Sequence, residues 1–174
     1  MTNTDIIDEI INCGISYEDG LLQFGAGYKD GALLFRISEE TGVDPWDLEG
    51  VTGVDANSVK IDSLTETFHN CVFDNTSMQE WLDDLDDAAP QDWVVTTGVF
   101  DEYLYGDMQH NFVFKSIQKC FELSRKGTIF TLKMNLTDDF SYNPLFIFAE
   151  LMNSYSKVIV KKLDGDNYVF CILK

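Results

Sequence analysis

Gly25 and Gly27 stand between a short apolar run and a helical pattern, an arrangement that can bind a ligand. The run Leu21-Leu22-Gln23-Phe24 fits a buried strand and is too short for a helix. Asp30 then begins a stretch with apolar residues at Ala32, Leu33, Leu34, Phe35 and Ile37. Strand, glycine turn and helix N-terminus together let a ligand come close to the backbone and offer it unpaired N–H groups. A nucleotide-like ligand suits that device; the plain alternative is an ordinary strand-to-helix turn. A second run, Val51-Thr52-Gly53-Val54-Asp55, ends in a carboxylate, where a ribose presents its hydroxyls in a βαβ unit. The spacing from Gly25 to Asp55 is about ten residues longer than the usual ~20. Thr41 to Gly50, read as a loop insertion around Pro45, accounts for the excess. Asp30 occupies the third glycine position of a dinucleotide fingerprint, which disfavours nicotinamide binding.

Open α/β sheets bind ligands at the carboxyl ends of their strands. That edge collects Gly25, Ala26, Gly27, Asp55, Asp74, Asn75, Thr97 and Gly98. His110 is the titratable candidate for a general base, with Asp101 next; the competing reading of His110 is a surface or capping residue. Phe100, Tyr103 and Tyr105 lie in the loop after the fourth strand and suit the wall of a pocket for an uncharged or cationic organic acceptor. Packing back on the core as a lid is their alternative.

The run LLQFGAGYKDG resembles the first motif of class I S-adenosylmethionine-dependent methyltransferases, and DWVVTTGVF resembles their fourth. The latter is similar to a D-x-V-x-x-S-G-x-F signature of a bacterial and phage subgroup. Gln23 stands where the family prefers Asp or Glu, and Lys29 where it prefers a third glycine. The resemblance implies S-adenosyl-L-methionine as cofactor, with the glycine turn Gly25-Ala26-Gly27 against its methionine part and Gln23, Asp30 and Gly98 also among the cofactor-binding residues. It further implies Asp55 at the ribose, Asp74 or Asn75 near the adenine, and Thr97 near the sulfonium. Lys29 is then either a surface residue or a partner of the cofactor carboxylate.

The elements that must position these residues follow from the pattern. Thr4 caps a short helix through Asn12, and a helix from Asp30 to Glu40 closes at Thr41-Gly42. Strand Val51–Val54, helix Ser58–Thr67, strand Asn70–Phe73 and helix Ser77–Asp87 come next. Strand Trp93–Thr97, a long helix Gln109–Arg125 and strand Thr128–Met134 continue the alternation. Pro144 starts a helix through Ser154, and strands Lys157–Leu163 and Asn167–Leu173 join at Asp164-Gly165 as a hairpin. Together with the resemblance this predicts a Rossmann-like methyltransferase fold over residues 1–174 as one domain. It is a three-layer α/β/α sandwich with a seven-stranded, mostly parallel sheet whose last strand runs antiparallel.

Composition narrows the class. Residues 1–109 carry 24 acidic and 3 basic side chains, a net of −21, while residues 110–174 carry a net of +3. Such a field repels phosphate backbones and attracts cations, so nucleic acid is not an expected partner. The four scattered cysteines form no C-x-x-C pair and indicate no metal site. No apolar run is long enough to span a membrane, and the N-terminus lacks a secretory pattern, so a cytoplasmic location is expected. The leading expectation is a methyltransferase for a small-molecule or glycan acceptor. The alternatives are a fold that has lost its activity and serves as a binding module, and, ranked lowest, an acidic nucleic-acid mimic.

Overall fold

A computed structural model describes residues 5–84, 88–102, 107–133 and 144–174 of the chain. Seven strands form one sheet: β1 (Leu21–Phe24), β2 (Val51–Val54), β3 (Val72–Asp74), β4 (Gln91–Thr96), β5 (Ser124–Lys133), β6 (Val158–Lys162) and β7 (Asn167–Leu173). Their spatial order is β3-β2-β1-β4-β5-β7-β6. The first five run parallel, and β7 pairs antiparallel with both β5 and β6. The topological switch lies between β1 and β4, where adjacent connections leave on opposite sides.

Both faces of the sheet are covered, which explains strands such as β1 that are apolar or buried throughout. On one face α1 (Ile6–Asn12), α2 (Ala32–Thr41) and α3 (Ser58–Thr67) bury Ile6, Ile10, Leu33, Leu34 and Leu64 against Leu21, Val95, Ile129 and Cys171. On the other, α4 (Met78–Asp83), α5 (Asp107–Leu123) and α6 (Pro144–Ser154) bury Leu82, Val113, Ile117 and Leu151 against Leu22, Phe24, Phe130 and Phe170. This is the expected α/β/α sandwich.

Several boundaries differ from expectation for local reasons. Thr4 lies outside the described residues, and α1 is capped by Asp5, whose side chain accepts from the Ile7 N–H. The helix expected at Asp30 begins only at Ala32. Lys29, Asp30 and Gly31 have φ of +46°, +57° and +84°, so a left-handed step separates the glycine turn from α2. The insertion Thr41 to Gly50 holds a short turn, Pro45–Asp47, whose Trp46 N–H donates to the Asp44 side chain. Leu48 beyond it is buried. The long helix stops at Leu123 and β5 starts at the next residue, with no loop between them. The Ser124 hydroxyl donates to the Phe121 carbonyl and closes the helix end. Arg125 and Lys126 therefore sit on the strand, exposed, and bridge to Asp92 and Asp19 rather than to a helix terminus.

Asp19, just before β1, ties down the amino end of the sheet. Its nearly buried carboxylate accepts from the Ser16 N–H and the Trp93 indole (2.9 Å each) and pairs with the Lys126 ammonium. Burial alone pushes an acid up, but the Lys126, Ser16 and Trp93 donors prevail and hold Asp19 below its ordinary value.

Candidate functional site

At the carboxyl ends of β1, β2 and β4 lies a cavity of about 510 Å³, within the roughly 300–1,000 Å³ of small-ligand pockets. Its floor is the glycine turn. The Gly25 and Ala26 N–H groups both donate to the Val54 carbonyl, at 2.8 and 3.2 Å, which draws the end of β1 against β2. Gly25 has φ of +72°, and a Cβ there would fall 2.1 Å from the Thr97 carbonyl oxygen. Only glycine permits that approach of the two backbones.

Asp55, at the end of β2, is fixed in place by the chain itself. One carboxylate oxygen accepts from the Gly27 N–H and the other from the Asn57 N–H, both at 2.9 Å. Lys60, on the first turn of α3, reaches back so that its ammonium donates to the Gly27 carbonyl at 2.8 Å. Gly27 is thus held from both sides, and a Cβ at this position would sit 2.6 Å from the Lys60 Cδ. Asp55 and Lys60 are the charged residues on the described wall. Tyr28, Val54, Met78 and Val99 supply its apolar surface, and Ser77, Thr76 and Thr97 its hydroxyls.

The remaining expected residues distribute unevenly. Gly25, Gly27, Asp55, Thr97 and Gly98 share the cavity wall. Gln23 and Ala26 are buried behind it, at 1% and 0% exposure. The Gln23 amide nitrogen donates to the Thr97 hydroxyl at 3.0 Å, and its Oε1 has no hydrogen-bond partner. Asp30 points outward and pairs with Lys60 at 3.6 Å. Asp74 accepts from the Trp81 indole at 3.1 Å, and the Asn75 amide donates to the Asp55 carbonyl at 3.0 Å. Both brace the wall from outside it. Lys29 is a surface residue paired with Asp5 at 3.0 Å.

Phe100 corrects the expectation of an acceptor-pocket aromatic. It is completely buried in the core, edge-on to Phe130 with ring centroids 5.8 Å apart, and is on the wall of neither this cavity nor the adjoining one. Tyr103, Tyr105 and the His110 side chain lie outside the described residues. The Asp101 carboxylate accepts the Lys133 N–H at 2.6 Å at a second cavity, beside the first.

Tyr28, Asn57, Lys60, Ser77 and Met78 are wall residues that the motif reading passed over. Ser77 carried a readable signal: it caps α4 and exchanges hydrogen bonds with Glu80 in a capping box, which places it at the turn after β3. Asn57 caps α3 with a single bond, its side-chain oxygen accepting from the Lys60 N–H at 3.2 Å. Tyr28 and Lys60 had no local signal. The Tyr28 ring lies across Gly98, whose missing side chain makes room for it: a Cβ there would be 2.8 Å from the ring. Burial raises the Tyr28 phenol above its ordinary value, as do the nearby Asp101 and Asp5 carboxylates, against the opposing Lys29 charge.

No protein-family model matches the chain, and no curated protein matches it. Solved structures do. N-methyltransferase NodS from Bradyrhizobium japonicum WM9 superposes with a TM-score of 0.65 at 11% identity, over 97% of this chain and 93% of that one. The glycopeptide N-methyltransferase MtfA, solved with S-adenosyl-L-homocysteine, gives 0.63 at 12% identity over 100% and 91%. A TehB-like methyltransferase from Corynebacterium glutamicum ATCC 13032 Kitasato gives 0.57 at 12% over 98% and 88%. The chain therefore has the fold of the S-adenosylmethionine-dependent methyltransferases. At these identities the likeness is one of fold, and the site must be judged on its own residues.

Proposed function

We propose that the protein is an S-adenosylmethionine-dependent methyltransferase acting on a small-molecule or glycan acceptor. The observation that carries this reading is the locked pair of Gly27 and Asp55 on the wall of the 510 Å³ cavity. A carboxylate whose two oxygens are oriented by backbone N–H groups keeps its remaining lone pairs in fixed directions and suits a ribose diol. The residues present fit the cofactor. Asp55 would take the ribose hydroxyls, the Gly25–Gly27 backbone the amino-acid portion, and Met78 with Val99 the apolar faces. Thr97 and Gly98 would flank the sulfonium, and Lys60 is the wall cation available to a carboxylate.

When bound, the cofactor supplies an electrophilic methyl group: a bond from the acceptor to that carbon forms as the carbon–sulfur bond breaks, and its electron pair stays on sulfur. Such an in-line displacement depends on positioning more than on a covalent nucleophile. The chain's contribution is accordingly a rigid wall: Gly25 lies against Thr97, Asp55 is held by Gly27, and Tyr28 is packed on Gly98. The acidic field over residues 1–109 supports a neutral or cationic acceptor over a nucleic acid.

Calorimetric titration with S-adenosylhomocysteine tests the reading. Saturable one-site binding that Asp55→Ala abolishes is the expected result. A wild-type protein that shows no heat at millimolar ligand overturns it.

A further inference from the structure

Helix α3 holds both ends of the left-handed step that follows the glycine turn. At its start, the Lys60 ammonium donates to the Gly27 carbonyl at 2.8 Å and lies 3.6 Å from the Asp30 carboxylate. At its end Leu64 packs against Gly31 so closely that a Cβ there would fall 2.5 Å from the Leu64 Cδ2. Lys60 and Leu64 are one helical turn apart and share a face of α3. Between these anchors Lys29 and Asp30 stand in the left-handed region, which residues other than glycine keep only where their surroundings enforce it.

The hydrogen bonds around Lys60 close into a ring. The Gly27 N–H donates to one Asp55 oxygen and the Asn57 N–H to the other, each at 2.9 Å. The Asn57 side-chain oxygen accepts the Lys60 N–H at 3.2 Å, and the Lys60 ammonium returns to the Gly27 carbonyl. All four residues lie on the wall of the 510 Å³ cavity.

We propose that Lys60 is a positioning residue for Asp55 and so for the ribose of the cofactor. Glycine has the most backbone freedom of any residue, so Gly27 needs an outside hold to keep its N–H aimed at a carboxylate. Lys60 supplies that hold through the carbonyl of the same residue. That Asp55 meets a ribose rests on the methyltransferase reading; the hold on Gly27 does not. A nucleoside with no amino-acid portion must therefore feel the loss of Lys60.

The test uses methylthioadenosine, which keeps the adenine, ribose and thioether of S-adenosylhomocysteine and lacks its amino acid. Lys60→Met removes the ammonium and retains an unbranched stem that suits a helix. In calorimetry it should bind methylthioadenosine about tenfold more weakly than the wild type. Lys60→Arg, which restores a charged donor, should recover most of that loss. Amide exchange in the isotope-labelled free protein gives a second readout, one that general destabilisation does not imitate. Gly27 should exchange severalfold faster in Lys60→Met, while Val95 in the middle of the sheet stays as in the wild type. Unchanged affinity for methylthioadenosine, an unaltered Gly27 amide, equal acceleration at Val95, or no recovery with arginine overturns the assignment. A loss confined to S-adenosylhomocysteine also overturns it, since Lys60 would then meet the cofactor carboxylate directly. A wild type that binds neither compound removes the methyltransferase reading, and the exchange comparison still decides the hold on Gly27.

Discussion

The Gln23 amide nitrogen on β1 lies 3.0 Å from the Thr97 hydroxyl just past β4, a side-chain bond across the central strand pair. Thr97 in turn donates to the Gly25 carbonyl at 2.9 Å, so the three residues form a short chain behind the cavity floor. The Gln23 Oε1 at its end is buried without a partner. Losing a neutral hydrogen bond and relieving an unsatisfied acceptor oppose one another at about 1 kcal/mol each. Gln23→Leu should therefore change stability by less than about 1 kcal/mol in urea denaturation. Gln23→Glu should behave otherwise. Burial raises the folded pKa of the introduced acid above its unfolded value near ~4.3, so stability is retained below that pH and falls as pH rises through the folded pKa. A Gln23→Leu variant several kcal/mol less stable, or a Gln23→Glu variant with no such pH trend, contradicts this account of the chain.

Asp55→Asn keeps one oxygen acceptor and turns the other into a donor facing an N–H of Gly27 or Asn57. One of those backbone donors loses its partner, at a cost of about 1–3 kcal/mol. Affinity for S-adenosylhomocysteine should fall at least about tenfold, measured calorimetrically on protein whose folding is verified by circular dichroism. Unchanged affinity would place the ribose elsewhere.

Gly25 and Gly42 separate backbone strain from close approach. Both have φ near +70°, but a Cβ at Gly42 meets nothing within 4 Å, whereas one at Gly25 falls 2.1 Å from the Thr97 carbonyl oxygen. Gly42→Ala should cost about 1–2 kcal/mol for the left-handed conformation alone. Gly25→Ala should cost distinctly more and weaken cofactor binding, because the floor of the cavity must shift. Equal melting temperatures for the two variants would show that the β1–β4 contact is soft.

Asp19 predicts part of the acid sensitivity. Its folded pKa lies below its unfolded value near ~3.9, so its contribution is fully present above the unfolded pKa and drains away as pH falls through the folded one. Asp19→Asn should lower stability by about 1.5–3 kcal/mol near neutrality and should flatten the loss on acidification. The comparison is made by urea midpoints across the acid range. A variant with the wild-type slope would assign acid unfolding to other carboxylates.

What could be read from the chain was whatever the backbone itself demands. Gly25, Gly27 and Asp55 were legible because a tight turn and a strand end constrain residue type locally, and the order of elements followed from periodicity and the Asp164-Gly165 turn. The roles of Lys60 and Tyr28 were not. Lys60 acts on Gly27, 33 residues away, only once α3 has folded back over the turn. Tyr28 matters through the direction of its ring, for which Gly98, in the turn after β4, leaves room. Phe100 was open to both readings, because a phenylalanine beside a binding edge reads alike whether it faces ligand or core; its burial decides for the core. The junction Leu123-Ser124 misled because the usual glycine or proline stop is missing there.

The interior position of β7 bears on how the protein is made. Of the seven strands it emerges last from the ribosome, yet it is the one inserted between β5 and β6. Gly127 finds its partner Leu173 only across a long stretch of chain, and among the described strands β6 pairs with β7 at the edge of the sheet. During synthesis the strands β1 to β4 can associate while the inner edge of β5, with Ile129 and Phe130 upon it, stays open. That open edge is a place for pairing with another nascent copy, and closing it depends on the slow, distant contacts that retard folding of such topologies. Demand for a chaperone during translation should therefore concentrate in the interval between release of β5 and release of β7.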